Sequence, residues 1–319
     1  MKAIRMHGFG DPDVLSLDDV DVPRPGAGEV LLKVEAVAVT YGDIMKRSGA
    51  FGQEVQLPAG LGLEIAGTVA ELGPEIAGLS VGSRVLAWVE SGYAEYAVAP
   101  AAAVVPLPDG VDLRSAAVLP VKGVTAYQTL RRAGRLRPGE SVLVHAAAGG
   151  VGSLAVQLAR LLGAETVIGT ASSPLKLDFV RALGAIAIDY TVGDWPEQVL
   201  KATGGRGVDL VLDSVGGGIA RRSFHCLAPF GRLVTFGAAG GTPVAVDAVS
   251  LMLQNQSVTG YSLNVPSRPA NTDIRDLLDH LGAGRLEATI DLTLPLVSAP
   301  DAHRTISQRR TLGSVLLLP

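Results

Sequence analysis

The chain has 319 residues, 48% of them hydrophobic, which exceeds what a single core usually holds and points to two domains. Its 27 basic and 31 acidic residues leave a formal net charge of −4 with neither sign gathered into a block, which argues against nucleic acid or an anionic membrane as partner. The one cysteine, Cys226, excludes an internal disulfide framework and a zinc site of several thiolates.

The opening stretch "MKAIRMHGFGDPDVL" has no apolar targeting segment, and no run of about 18 apolar residues follows it, so a cytoplasmic chain with no membrane span is expected. Up to about residue 110 the pattern is β-rich. "EVLLKVEAVAV", "LEIAGTVAEL", "SRVLAWV" and "YAEYAVA" are alternating or β-branched runs punctuated by Gly, Pro, Asp and Ser, as in a barrel of short strands. "RSAAVLPVKGVTAYQTLRRAG" then reads as helical. From there strand and helix patterns alternate, with strands predicted at 141–145, 166–171, 185–189, 208–213, 231–236 and 256–262. Helices are predicted at 151–162, 174–183, 195–203 and 217–227. Six such strands make a doubly wound parallel sheet. Beyond "NVPSRPAN" come a helix at 273–283 and a final helix-strand pair ending in "GSVLLLP", which resemble the first region and are expected to complete it. The division expected is therefore 1–116 and 264–319 for the first domain, with 117–263 inserted between.

The run "SVLVHAAAGGVGSLAVQLARLLGA" enters a tight turn as a strand and leaves it as an amphipathic helix. The first amides of such a helix have no internal acceptor and its dipole is positive there, so a phosphate placed at the turn meets ready donors. Gly149 removes a Cβ where a pyrophosphate must approach, and Gly152 permits close packing of helix on strand; Ala147 takes the first place of the G-x-G-x-x-G spacing. The helix-start positions Ala148, Gly149, Gly150, Val151 and Gly152 form the expected dinucleotide cradle. At the end of the next strand, "TVIGTASSPLK" has no acidic residue for a ribose 2′-hydroxyl. Thr170, Ser172, Ser173 and Lys176 offer hydroxyls and a cation that suit a 2′-phosphate, so NADPH is the expected cofactor. Ser173 before Pro174 also reads as an ordinary helix cap, and both roles are compatible.

These segments, together with "GLEIAGTVAELG", "GYAEYAVAP", "KGVTAYQTL" and "GRLVTFG", resemble the zinc-independent, zeta-crystallin-like quinone oxidoreductases of the medium-chain dehydrogenase/reductase superfamily. The resemblance covers nearly the whole chain. It implies an α/β fold in which a Rossmann sheet is inserted into a GroES-like β-barrel catalytic domain. It implies NADPH, and a homodimer joined through the last Rossmann strand. It places Thr125, Tyr190, Ser214, Val215, Phe236 and Gly237 beside the cofactor, with a plain strand-end tyrosine as the competing reading of Tyr190. Where alcohol dehydrogenases of the superfamily hold zinc, this chain has Thr40 for the cysteine and Leu63 for the histidine beside Glu64, so no metal is expected.

Without a Lewis acid, the chemistry left is hydride transfer to an acceptor polarised by its own conjugation. Thr40 replaces the family's nicotinamide-contacting Asn, and Met45 and Phe51 replace two family tyrosines. Asp43 matches the family as either a catalytic carboxylate or an acceptor for backbone amides. Lys122 matches a position near the nicotinamide, where an ammonium serves an enolate or a ribose; the competing reading is a solvated lysine at a helix start. The sequence thus predicts an NADPH-dependent reductase of a small conjugated substrate, a quinone or an enone. The alternatives are an enoyl-thioester reductase of a polyketide-type pathway, for which the loop "MKRSGAFGQEVQLP" supplies only Lys46 and Arg47 as basic residues, and a non-catalytic NADPH-binding protein.

Overall fold

The computed structural model describes residues 1–50, 52, 54–263 and 270–319. The chain forms two compact units, Met1–Val124 with Ser267–Pro319, and Thr125–Pro266. Residues 117–124, which the sequence reading put in the inserted domain, thus sit in the first unit. Their bonds explain this, because the amides of Val121 and Lys122 both donate to the carboxylate of Glu64.

The first unit is built around the strand Glu29–Ala38, whose Val, Leu and Ala side chains are mostly buried. One edge pairs antiparallel with Glu64–Leu72 over its whole length, from Val30 opposite Leu72 to Ala38 opposite Glu64. The other edge is shared. Tyr96–Pro100 takes the N-terminal half and the C-terminal strand Ser314–Leu318 takes the other, with Leu316 opposite Ala38. Ile290–Pro295 runs parallel to that last strand, and the helix Ala299–Ser307 lies between them in sequence. Arg84–Trp88 and Val104–Pro106 extend the far side, and a small sheet of Leu15–Asp19, Lys2–Met6 and Ala59–Gly60 completes the unit. Ile4, Met6, Leu32, Val37, Ile65, Val85 and Leu317 share one core.

The second unit is a six-stranded parallel sheet. Its strands are β1 (Ser141–Val144), β2 (Thr166–Ala171), β3 (Ile186–Asp189), β4 (Val208–Asp213), β5 (Leu227–Thr235) and β6 (Ser257–Gly260). Their order, β3-β2-β1-β4-β5-β6, is that of a doubly wound dinucleotide-binding sheet. All five pairings are parallel. The helices Gly150–Leu161, Pro174–Ala182, Trp195–Ala202 and Gly217–Ser223 follow the first four strands.

The predicted elements of this unit match to within two residues except at one place. The helix expected to reach 227 ends at Ser223, a single turn Phe224–Cys226 follows, and β5 begins at Leu227 rather than 231. Pro229 and Gly231 lie inside this strand. The strand passes through them because Phe230 adopts φ 61° and the β4–β5 register shifts between Val208 and Leu210, as at a bulge. Two short helices were not predicted. Tyr41–Ser48, read as a loop, is closed at its start by a capping box between Thr40 and Asp43. Ala248–Gln254 is capped by Asp247 and ends at Asn255 in the left-handed region. Among the described residues no helix is long and apolar enough to cross a membrane.

Candidate active site

The glycine turn sits between β1 and the helix Gly150–Leu161. Gly149 is the N-cap, and no side chain caps this helix. The amides of its first turn therefore remain for an external acceptor. A Cβ on Gly152 would stand 2.2 Å from the Ala146 carbonyl oxygen, so only glycine lets the helix lie this close to the turn. Ala147 is tolerated at the first fingerprint position for a reason on the neighbouring strand. A Cβ on Gly169 of β2 would come within 2.7 Å of the Ala147 Cβ, and the missing side chain there gives the methyl its room.

Beyond β2, Ser173 caps the helix Pro174–Ala182, its hydroxyl accepting from the Lys176 amide at 3.4 Å. Ser172, Ser173 and Lys176 are half-buried and share this helix start. Thr170 does not join them. It is fully buried, with its hydroxyl 2.9 Å from Nδ1 of His145. His145 Nε2 lies 2.7 Å from the Ser223 hydroxyl, which itself donates to the Ile219 carbonyl. Nε2 therefore carries the proton and Thr170 donates to Nδ1. Burial lowers the His145 pKa to about 3, and its ring meets Trp195 edge-on at 5.5 Å. The Thr170 hydroxyl, expected at the 2′-phosphate, is thus spent inside the sheet. Tyr190 follows β3 and packs its ring on the core around Leu143, Ile168 and Trp195.

At the same end of the sheet, the turns after β4 and β5 are tied to each other. The Ala239 amide donates to the Ser214 carbonyl and that of Gly240 to the Val215 carbonyl. Asp213 accepts from the amides of Val215 and Gly216. The Phe236 amide donates to the Asp213 carbonyl and Gly237 lies against Ser214, so Ser214, Val215, Phe236 and Gly237 cluster at the strand ends where open α/β sheets collect ligands. Thr125 is nearly buried in the helix Val124–Gln128, with its carbonyl taken by the Thr129 hydroxyl.

In the first unit, the Thr40 hydroxyl donates to Asp43 Oδ2 at 2.7 Å and accepts from the Asp43 amide at 3.1 Å. Its one hydrogen is used, so toward a ligand it can only accept. Asp43 is buried and also accepts from the amides of Thr40 and Gly62. Burial raises its pKa against these bonds. Of the two roles the sequence left open for Asp43, the structure gives it the acceptor of backbone amides. Lys122 is not the solvated lysine of the competing reading. Its side chain is 8% exposed and its ammonium is paired with the fully buried carboxylate of Glu64. Burial raises the Glu64 pKa, and the Lys122 charge opposes that shift. Met45 is half-buried, and Phe51 lies outside the described residues.

A zinc ion does not fit this donor set. Thr40 is occupied by Asp43, position 63 is leucine, Glu64 is occupied by Lys122, and among the described residues no three His, Cys, Asp or Glu side chains converge. The sequence reading also missed a third buried pair in this unit: the Tyr93 hydroxyl lies 3.0 Å from Nε2 of His303. These residues are 210 positions apart, and no local spacing marks them.

Comparison with known proteins agrees with this geometry. A family model described as the alcohol dehydrogenase GroES-like domain matches residues 26–109, and one described as zinc-binding dehydrogenase matches residues 150–281. A quinone oxidoreductase of Pseudomonas aeruginosa is 37% identical over 328 residues, spanning 100% of this chain and 99% of the relative. A 2-haloacrylate reductase of Burkholderia is 35% identical over 333 residues, with the same coverage. The crystal structure of Escherichia coli quinone oxidoreductase complexed with NADPH superposes with a TM-score of 0.94 at 31% identity over 100% of both chains. The glycine-turn sheet, the GroES-like partner unit and full-length identity above 30% together place the chain in the zeta-crystallin-like quinone oxidoreductase group of the medium-chain dehydrogenase/reductase superfamily, an enzyme family of oxidoreductases.

Proposed function

We propose that this chain reduces a conjugated acceptor, a quinone or an enone, with NADPH as reductant. The observation that carries this reading is the uncapped helix start at Gly150 beside a β2 end that offers Ser172, Ser173 and Lys176 and no carboxylate. The amides of the first helical turn suit a pyrophosphate, and the two hydroxyls with the Lys176 ammonium suit a 2′-phosphate. Bound there, NADPH would supply the hydride. The protein's part is to orient the acceptor and to stabilise the negative charge that collects on its oxygen. Lys122 is the donor assigned to that oxygen. Thr40, able only to accept, stands where the family's nicotinamide-contacting Asn stands, and Asp43 holds Thr40 in place. The acceptor class is supported by two relatives, one named for quinones and one for a 2-haloacrylate, both of which present a double bond conjugated to a carbonyl or carboxyl group.

An enoyl thioester on a phosphopantetheine arm is disfavoured by the loop that would meet it. Arg47 is 5% exposed, and Lys46 is drawn back to the Gly60 carbonyl at 2.9 Å, so neither stands out as an open cation for the arm's phosphate. The proposal includes a homodimer joined along β6, the edge strand of the second unit among the described residues.

The test is NADPH consumption against 1,4-benzoquinone, a simple enone, a 2-haloacrylate and an enoyl thioester, with NADH as control. Turnover of a quinone, enone or haloacrylate with preference for NADPH is expected; turnover confined to the thioester would end the reading. In the same assay Lys176→Ala should raise the KM for NADPH by about tenfold, the worth of one charge-assisted hydrogen bond, with little effect on NADH.

A further inference from the structure

Glu64 opens the strand Glu64–Leu72 and is paired on both sides, to Ala38 on one neighbour and to Trp88 on the other. Its backbone is therefore held on two edges, and its side chain is fully buried. Nothing in the assigned chemistry uses it. Yet one carboxylate grips both ends of a single residue. Oε2 accepts from the amides of Val121 and Lys122 at 2.8 and 3.1 Å, while Oε1 accepts from the Lys122 ammonium.

The backbone near Lys122 is shaped for this grip. Over Leu119–Gly123 the helix is widened to five-residue bonds, the Gly123 amide donating to the Val118 carbonyl and the Val124 amide to the Leu119 carbonyl. Such widened turns gather at functional sites. Here the widening leaves the two amides before Gly123 to the carboxylate. The ammonium has three N–H groups, and among the described residues Glu64 is the one acceptor it is shown to meet. Two donors remain for a ligand.

We propose that Glu64 is the positioning residue for Lys122: it fixes the ammonium in place so that the two remaining N–H groups meet the acceptor oxygen of the substrate. This rests on the role given to Lys122 above. An ammonium this deeply buried is costly to hold without a counter-charge. Removing the carboxylate therefore releases the lysine from its geometry while leaving the cofactor cradle of the second unit intact.

The test is a double-mutant cycle on the purified full chain with its best acceptor, reading kcat and the KM for NADPH separately. Lys122→Met should lower kcat by about 100-fold or more, as loss of an aimed donor does. Glu64→Gln should lower it by about 100-fold, as loss of positioning does, with the KM for NADPH little changed. The double variant should be no slower than Lys122→Met alone, because Glu64 acts only through Lys122. Losses that multiply in the double variant, or wild-type kcat in Glu64→Gln, would overturn the proposal. If Glu64→Gln does not fold, Glu64→Asp keeps the charge and withdraws it by one methylene. A lowered kcat at unchanged KM for NADPH then supports positioning, and wild-type kcat rejects it. A wild-type protein that turns over no conjugated acceptor would instead remove the functional reading beneath, which separates the two failures.

Discussion

His145 shows how far one residue can be read before its neighbours are known. Its place at the strand end beside the glycine turn allows a phosphate contact, but the sequence favours a structural role. The structure gives it the second. Its ring nitrogens are satisfied by Thr170 and Ser223, and burial holds its pKa near 3 against 6.5 for a free histidine. His303 is buried likewise, with its pKa also near 3. A depressed pKa means that the unfolded chain binds the proton first. The stability these histidines confer is thus present above pH 6.5 and falls as pH drops from there toward 3, by about 1.4 kcal/mol per pH unit for each. The raised carboxyls of Asp43, Glu64 and Asp213 act in the opposite sense as they take up protons. Comparison with His145→Gln isolates the histidine. Urea midpoints measured from pH 7 to pH 4 should decline more steeply for the wild type than for the variant; parallel declines would show that His145 titrates alike in both states. The role of His145 was half-legible in sequence, whereas the loss of Thr170 from the phosphate site was not. Which way a hydroxyl points depends on a partner 25 residues away.

At the level of elements, the strand–turn–helix unit was the most legible part of the chain. Alternation, glycine positions and amphipathic spacing are local signals, and the helix predicted at 151–162 occupies Gly150–Leu161. What was not local was why alanine is accepted at position 147. Gly169 on β2 makes room for it, and a Cβ there would lie 2.6 Å from Val180 Cγ1 as well as 2.7 Å from Ala147 Cβ. Gly169→Ala should therefore cost about 1–3 kcal/mol through overpacking. Adding Ala147→Gly should recover part of the loss, because the Val180 contact persists. Thermal unfolding of the wild type and these two variants reads this directly, and a Gly169→Ala protein as stable as the wild type would contradict the packing argument. The helix Tyr41–Ser48 was missed for the complementary reason. It is eight residues long, too short for a periodic signature, and its capping box is visible only once Thr40 and Asp43 are seen to bond reciprocally.

For the whole molecule, the second unit ends in an edge. Among the described residues β6 pairs with β5 alone, and the helix just before it exposes Val249, Met252 and Leu253 at 59, 68 and 70%. An edge strand beside exposed apolar side chains is the kind of surface a second copy covers. With Met252→Glu and Leu253→Glu introduced together, light scattering should move from a dimer mass toward a monomer mass with the fold kept, since neither side chain is buried. A wild-type chain that runs as a monomer at micromolar concentration would end the dimer proposal.

The sequence by itself determined the two fold classes, the order of alternating elements in the second unit and the position of the glycine turn. Each is written in periods of two or 3.6 residues and in backbone requirements that act over a few positions. Only the tertiary structure decided which polar groups remain available for chemistry. Glu64 reaches Lys122 across 58 residues and Tyr93 reaches His303 across 210. A buried donor or acceptor takes whichever partner packing brings to it, and no local pattern records that choice.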